Sequence, residues 1–404
     1  MCGNQCAVCS RRIKNFSMQR ILHFAQDGDT SGFFPQLARW HDRSRYEMFF
    51  ATLNPIAPWL ADYMREQGVE CFSCDCRTRS EYAAGMFRLA RFLRRKRIDI
   101  LHTHLFEPSV IGLVAGVLAR TRTRVLTRHY SDYHTRIDKR WHVRLDQLTT
   151  RLSHRVIAVS KHTADHLIEV EGASREKVHT ILNGIDFDRA EPSAPDARAR
   201  VRRELKAEDD YILLIVARLH PEKGHHYLFE ALNEVRRRVS RPVRLLVAGA
   251  GTFDAVYRNE VRALGCDDIV SFLGFRKDSA DLMAAADLVI LPSLAEAFGL
   301  VLTESLYIGT PVVATWAGGI PEIVEDDVDG VLVPPADSQA LADAIVELLN
   351  DSRKRERMSG AGREKVRTRF CFQEMVRSYE ALYADACAGS PASATRELNA
   401  TAND

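Results

Sequence analysis

The chain has 404 residues, 46% of them hydrophobic and 27% charged, with 56 Lys+Arg against 54 Asp+Glu. This composition excludes wholesale disorder, a collagen-like repeat and a multi-span membrane protein, and the length suggests two domains, or three. The near balance hides an asymmetry, because residues 1–190 hold 30 Lys+Arg and 20 Asp+Glu, leaving an acidic remainder; a basic half suggests an anionic partner such as a membrane surface or phosphorylated lipid.

Residues 1–18 include MCGNQCAVCSRRIKNF, which lacks the apolar core of a signal peptide. Cys2, Cys6 and Cys9 have a spacing able to hold an iron–sulfur cluster, but no strand precedes them to fix such a loop. The segment reads as a disordered leader, with Met18 as an alternative start. Nine cysteines, an odd number, fit a reducing cytoplasmic compartment as packing residues or free thiols. Cys71, Cys74 and Cys76 follow an edge-like stretch, VECFSCDC, and lack the fourth ligand that zinc would want.

Strands are expected at Arg20–Phe24, Glu47–Leu53, Ile98–His104, Arg124–Arg128, Arg155–Ser160 and Val178–Leu182. A second set follows at Ile212–Ala217, Arg244–Gly249, Ile269–Leu273, Leu288–Pro292, Val312–Thr315 and Val331–Val333. Several are continuously apolar, as strands covered on both faces are. Helical patterns such as Glu81–Lys96, Lys223–Val239 and Ser338–Leu349 lie between them. Alternating strand and helix, twice over, predicts an α/β protein of two doubly wound domains facing across a cleft. The expected divisions are an N-terminal domain over 19–190, a polar linker over 191–205, a C-terminal domain over 206–368, a final helix over 369–387 crossing back, and a disordered tail over 388–404.

Ligands in this architecture bind at the carboxyl ends of strands, and the chemistry concentrates there. The segment Asp99-Ile100-Leu101-His102-Thr103-His104 puts both histidines on one side of a strand, with His104 at its end, where it could bond a substrate hydroxyl. Two such rings with no third ligand argue against a metal site, although Asp99 and Glu107 are nearby in sequence. In Ala217-Arg218-Leu219-His220-Pro221-Glu222-Lys223-Gly224, two cations five apart flank a strand–helix turn, an arrangement suited to a diphosphate. Glu296 and Glu304 are separated by seven residues, and Phe298-Gly299-Leu300 between them opens a helix whose free amides suit a phosphate. One carboxylate can then face a sugar and the other a ribose diol. Ala317-Gly318-Gly319-Ile320-Pro321-Glu322 supplies a glycine pair for close backbone approach. Gly249-Ala250-Gly251-Thr252-Phe253-Asp254 begins like a dinucleotide fingerprint but has Asp254 at the third glycine position, so that fingerprint fails.

These blocks, with VSKHT at 159–163 and NGID at 183–186, resemble the retaining nucleotide-sugar glycosyltransferases of family 4, which have the GT-B fold. The resemblance runs from about Arg20 to Tyr383. It implies that Arg218 and Lys223 clamp the donor diphosphate, Glu296 contacts the transferred sugar, Glu304 the donor ribose and His104 the sugar from the N-terminal domain. It also implies that Phe298, Gly299 and Leu300 face the donor, that Phe275 lies near the base, and that Gly28 or Gly32 lies on the first loop near diphosphate and acceptor. That loop departs from the family, in which a Gly-Gly pair is common, because Asp29, Thr30 and Ser31 separate its glycines.

The expected activity is transfer of a sugar from a nucleoside-diphosphate donor, with uridine a family prior, to a glycan or lipid-linked acceptor in cell-surface polysaccharide or glycolipid synthesis. No catalytic metal and no cofactor beyond the nucleotide sugar are expected. The rival readings are a nucleotide-sugar epimerase and a non-catalytic sugar-nucleotide-binding homologue. The basic helix Met86–Arg97 could lie on an anionic membrane or simply pack on the sheet. A nucleic-acid partner is not expected, because the basic stretch has no interleaved exposed aromatics.

Overall fold

The computed structural model describes residues 18–26, 32–130 and 140–388. Gly28 and the cysteines at 2, 6 and 9 lie outside these residues.

Two all-parallel sheets organise the chain. The first has seven strands in the order β3-β2-β1-β4-β5-β6-β7. Its strands are β1 (Gln19–Ala25), β2 (Tyr46–Thr52), β3 (Glu70–Ser73), β4 (Ile100–His104), β5 (Thr123–Arg128), β6 (Arg155–Ala158) and β7 (Val178–Thr180). The second has six, ordered β10-β9-β8-β11-β12-β13. These are β8 (Tyr211–Val216), β9 (Val243–Ala248), β10 (Val270–Gly274), β11 (Leu288–Leu291), β12 (Val312–Thr315) and β13 (Gly330–Val333). The apolar runs are buried as continuous apolar strands should be: every residue of Leu288–Leu291 and Val312–Thr315 is buried. Strand order reverses between β1 and β4 in one sheet and between β8 and β11 in the other. In a doubly wound sheet the crevice opens at the carboxyl ends flanking such a reversal.

The edge-like VECFSCDC stretch supplies β3, paired with β2 from Phe49↔Glu70 to Thr52↔Ser73. Cys74 and Cys76 behind it are buried thiols, and burial pushes Cys74 up to about 12. Among the described residues they act as packing groups beside Gly85, where a Cβ would lie 2.3 Å from Cys76 Sγ.

The structure adds detail at two places the sequence left open. The 191–205 segment holds a helix, Ala197–Glu204, with Ala197 and Val201 buried. Arg202 is buried as well, with its guanidinium donating to the Ala285 carbonyl at 3.0 Å and to Asp287 Oδ2 at 2.6 Å. Arginine-rich composition reads as a polar linker; here the charge is satisfied inside. The basic helix Tyr82–Lys96 uses its apolar side internally. Leu89, Ala90, Phe92 and Leu93 are buried in one cluster with Leu22, Phe49 and Leu101. Arg91, Arg95 and Arg97 remain exposed, with Phe87 the one large apolar side chain of that helix facing out, at 62%.

The last helix, Phe372–Ala388, leaves the second sheet and returns to the first. Phe372, Met375, Val376, Tyr379, Leu382 and Tyr383 share a buried cluster with Ile21, Tyr46, Ile100 and Val125. No helix among the described residues is long and apolar enough to cross a membrane.

Candidate functional site

At the carboxyl ends of β8 and β11 the chain builds a cationic rim against a carboxylate. Strand β8 runs into Ala217 and Arg218, and the turn Pro221–Lys223 ends at Gly224, whose φ of 67° is a left-handed conformation that favours glycine. A Cβ on Gly224 would lie 1.9 Å from the Pro292 carbonyl oxygen, so this turn sits directly on the loop after β11. The Leu294 amide donates to the Glu222 carbonyl at 2.7 Å, lacing the two loops together. Lys223 Nζ is thereby brought within 2.5 Å of Glu296 Oε2, and Ser293 Oγ donates to the same oxygen at 3.3 Å. Arg218 is exposed and makes no hydrogen bond or ion pair with the described residues.

The glycines of the failed dinucleotide fingerprint serve this rim. A Cβ on Gly249 would lie 1.9 Å from the Ala217 carbonyl oxygen, and one on Gly251 would lie 2.3 Å from that of Leu219. The Leu219 amide donates to Ala250 O at 3.1 Å. Glycine is needed there because the Arg218 segment lies against that backbone.

Gly299 (φ 110°) precedes the helix Leu300–Ile308, whose first amides have no intrahelical acceptor. Glu304 is its fifth residue. Its carboxyl is pushed up to about 7 by loss of solvent, opposed by the positive charge of Arg189. The Arg189 guanidinium also covers Gly32, whose absent Cβ would fall 1.1 Å from Nη1. Gly32 itself has φ 74° and starts the helix Phe33–Trp40.

Across the reversal point of the first sheet lies a chain of histidines. His104 Nε2 is 3.0 Å from His23 Nδ1, and His104 Nδ1 is 3.1 Å from His129 Nε2. His102 bonds Tyr383 Oη and Thr127 Oγ1, each at 2.6 Å. Burial holds His23 near 3 and His129 near 4, and drives His102 and His104 well below their ordinary value, so all four rings are neutral. The expectation that no third ring accompanies His102 and His104 is overturned, since ligand-type nitrogens of His23, His102 and His104 lie within 4.8 Å of one another. The hydrogen bonds just given engage both nitrogens of His102 and of His104.

Residues 35–189 match the model described as Glycosyltransferase Family 4, and residues 197–365 match that described as Glycosyl transferases group 1. The D-inositol 3-phosphate glycosyltransferase of Xylanimonas cellulosilytica is 30% identical over 332 residues, 77% of this chain and 78% of that protein. The N-acetyl-alpha-D-glucosaminyl L-malate synthase of Bacillus anthracis is 26% identical over 315 residues, 74% of this chain and 77% of that protein. Among solved structures, Anabaena HepE in complex with UDP and glucose superposes with a TM-score of 0.79 at 25% identity, covering 91% of this chain and 100% of HepE. The chain belongs to the family-4 glycosyltransferases of GT-B fold.

In this glycosyltransferase the structure brings Lys223 and Glu296 into contact, with Arg218 on the same loop as Lys223 and Glu304 about a turn and a half beyond Gly299. Phe275 follows Gly274 at the end of edge strand β10 and is 60% exposed. The Phe298 side chain does not face a donor: it is buried against Phe370, ring centroids 5.9 Å apart, so that only its backbone is available. His104 ends β4 as expected, but it is fully buried, and its Nδ1 bonds half-buried His129.

Sequence reasoning missed His23, His129, Arg189 and Glu322. The first three are brought to the site by strand order and chain crossover, which single-sequence spacing does not encode. Glu322 was visible only as the last letter of AGGIPE.

Proposed function

We propose that this glycosyltransferase moves a sugar from a nucleoside-diphosphate donor, a uridine nucleotide, to a hydroxyl of a glycan or lipid-linked acceptor, with retention of the anomeric configuration. The observation that carries the reading is the Lys223–Glu296 pair at the carboxyl ends of β8 and β11 with exposed Arg218 beside it. HepE, which has the same fold, is described in complex with UDP-glucose.

The reaction requires the bond from the anomeric carbon to the diphosphate oxygen to break, its electron pair leaving with the phosphate. Arg218, Lys223 and the first amides of the helix Leu300–Ile308 meet that growing charge with protein groups rather than a metal; fixed donors of this kind are typically worth about 3–4 kcal/mol each. The acceptor oxygen then bonds to the same face of the anomeric carbon, and its proton passes to the departing phosphate oxygen. Glu296 holds the transferred sugar, and Glu304 accepts from the ribose diol. His104, held by His23, acts on the sugar from the other domain through half-buried His129.

Acceptors in cell-surface polysaccharide or glycolipid synthesis fit the basic first half. With the apolar side of the helix Tyr82–Lys96 packed inward, attraction to an anionic membrane rests on exposed Arg91, Arg95 and Arg97.

A panel of nucleotide sugars, screened by thermal shift and then by turnover, identifies the donor. Arg218→Ala and Lys223→Ala are expected to reduce that turnover roughly a hundredfold each. Near-normal turnover in both variants sinks the assignment.

A further inference from the structure

Glu322 belongs to the turn after β12 in the second domain, yet its carboxylate bonds to the first domain. Oε2 accepts from the Lys161 amide at 2.7 Å and Oε1 from the His162 amide at 2.9 Å. These amides open the helix Lys161–Glu169, and the next one, Thr163, donates to Ser160 Oγ at 3.1 Å. An α-helix has no internal acceptors for its first amides, and its N-terminal end carries partial positive charge. Here that requirement is divided: one acceptor is local and the other two are oxygens of a single carboxylate on the opposite domain.

The same turn holds the loop carrying Glu296. The Gly319 amide donates to the Glu296 carbonyl oxygen at 2.9 Å. A Cβ on Gly318 would fall 1.8 Å from that oxygen. Gly319 is closed in from both sides, with its absent Cβ 2.4 Å from Ala297 O and 3.0 Å from Ser160 Cβ. The turn is itself stiff: Ile320 is fully buried, and the Glu322 amide donates back to Gly319 O at 3.1 Å. Only Ile320 and Pro321 therefore separate a contact on the first domain from a contact on the backbone of Glu296.

We infer that Glu322 is a positioning residue that ties approach of the two domains to the placement of Glu296. When the domains part, the Lys161 and His162 amides lose their shared acceptor and the turn loses its outer support. When they meet, the carboxylate seats on the helix end and Gly318-Gly319 presses the Glu296 backbone into the donor site. The inference rests on the donor-site reading of Glu296 given above. Glu322 touches no substrate in this scheme; it acts through Gly319.

The test is a double-mutant cycle on the full chain. Glu322→Ala removes the acceptor. Lys161→Pro removes one donor while leaving Glu322 intact: proline is favoured at the first position of a helix, and Ser160 before it is extended (φ −155°, ψ 162°), as a residue preceding proline must be. Lys161→Ala, which keeps the amide, is the reference for Lys161→Pro. Charge-assisted bonds of this kind set the expected scale: Glu322→Ala lowers kcat about tenfold or more while the Kd for UDP moves less than about threefold. Lys161→Pro lowers kcat by less, and the double variant is no slower than Glu322→Ala alone. Hydrogen exchange at the Lys161 and His162 amides slows on UDP binding in the wild type and not in Glu322→Ala. An unchanged kcat in Glu322→Ala, or losses in the two variants that multiply, overturns the inference. Should Glu322→Ala fail to fold, Lys161→Pro against Lys161→Ala decides by the same split between kcat and Kd. Failure of the donor-site reading is seen separately, as UDP affinity indifferent to Lys223→Ala and Arg218→Ala.

Discussion

Lys223 Nζ lies 2.5 Å from Glu296 Oε2, the two side chains being 16% and 15% exposed. The cation assigned to the leaving phosphate and the carboxylate assigned to the sugar thus neutralise each other across two loops that are themselves laced by a backbone bond. On the proposed assignment, an arriving phosphate competes with Glu296 for Lys223 and, in winning it, frees the carboxylate for the sugar. Lys223→Ala and Glu296→Ala, each expected to lower kcat roughly a hundredfold, should combine to much less than the product. Steady-state kinetics on the single and double variants checks this; strictly multiplicative losses would mean the pair does not act as a unit.

Glu304 gives the donor affinity a pH dependence of predictable sign. Loss of solvent raises its carboxyl to about 7, so the group is largely protonated at pH 6 and largely ionised at pH 8. A carboxylate is the better acceptor for a ribose diol, so donor KM should rise as pH falls from 8 to 6, by up to about tenfold for a one-unit excursion below the pKa. In Glu304→Gln the profile should flatten over that range. A wild-type KM that is constant from pH 6 to 8 would contradict the assignment.

Two glycines with positive φ separate backbone strain from steric blockage. Gly265 (φ 64°) faces open space, and Gly318 (φ 55°) faces the Glu296 carbonyl oxygen. Gly265→Ala should cost about 1 kcal/mol of stability, the left-handed penalty alone, with activity retained. Gly318→Ala must also displace backbone, so kcat should fall more than about a hundredfold even where the protein remains folded. Chemical denaturation and kinetics on the two purified variants separate the outcomes.

The buried histidines set an early acid limit on stability. His23 and His129 are held near 3 and 4 in the fold by burial, as is His225 near 4, whereas an unfolded histidine takes a proton near 6.5. Below pH 6.5 the unfolded chain therefore binds protons that the native one refuses. The stability is fully present above 6.5 and is lost as pH falls toward 4, by about 1.4 kcal/mol per pH unit for each ring. Thermal melts from pH 7 to pH 5 should show Tm dropping over this window, because the three rings outweigh Glu304, whose carboxyl, raised to about 7, takes up a proton in the fold over the same range and offsets about one of them. A flat Tm across it would mean that these rings are not buried neutral.

The parallel architecture was legible in the sequence because its signal is local. Runs such as YILLIV are apolar at every position, as both-face burial demands, and the helix Ser338–Asn350 begins within its expected span because Asp337 caps it, its side chain accepting from the Ala340 amide. The E-x7-E segment was legible for the same reason: strand end, loop, Gly299 and helix lie in consecutive residues. What escaped depends on distance along the chain. His23 and His104 are 81 residues apart and meet only because β1 and β4 are neighbours. Glu322 and Lys161 are 161 apart and meet only across domains. Phe298 looked like a rim residue from its position in the motif, and only the packing of Phe370 shows that its ring turns inward.

The helix Phe372–Ala388 fixes the order in which this protein can be assembled on the ribosome. Its Phe372, Met375, Val376, Tyr379 and Tyr383 form one wall of a core whose other walls come from residues before 182. A nascent chain that has emerged only as far as the second sheet still exposes that wall to water, and a fragment ending near residue 190 never acquires it. The earlier-synthesised domain is thus the last to be completed, and truncation a few turns from the carboxyl end strikes the half of the molecule farthest from it in sequence.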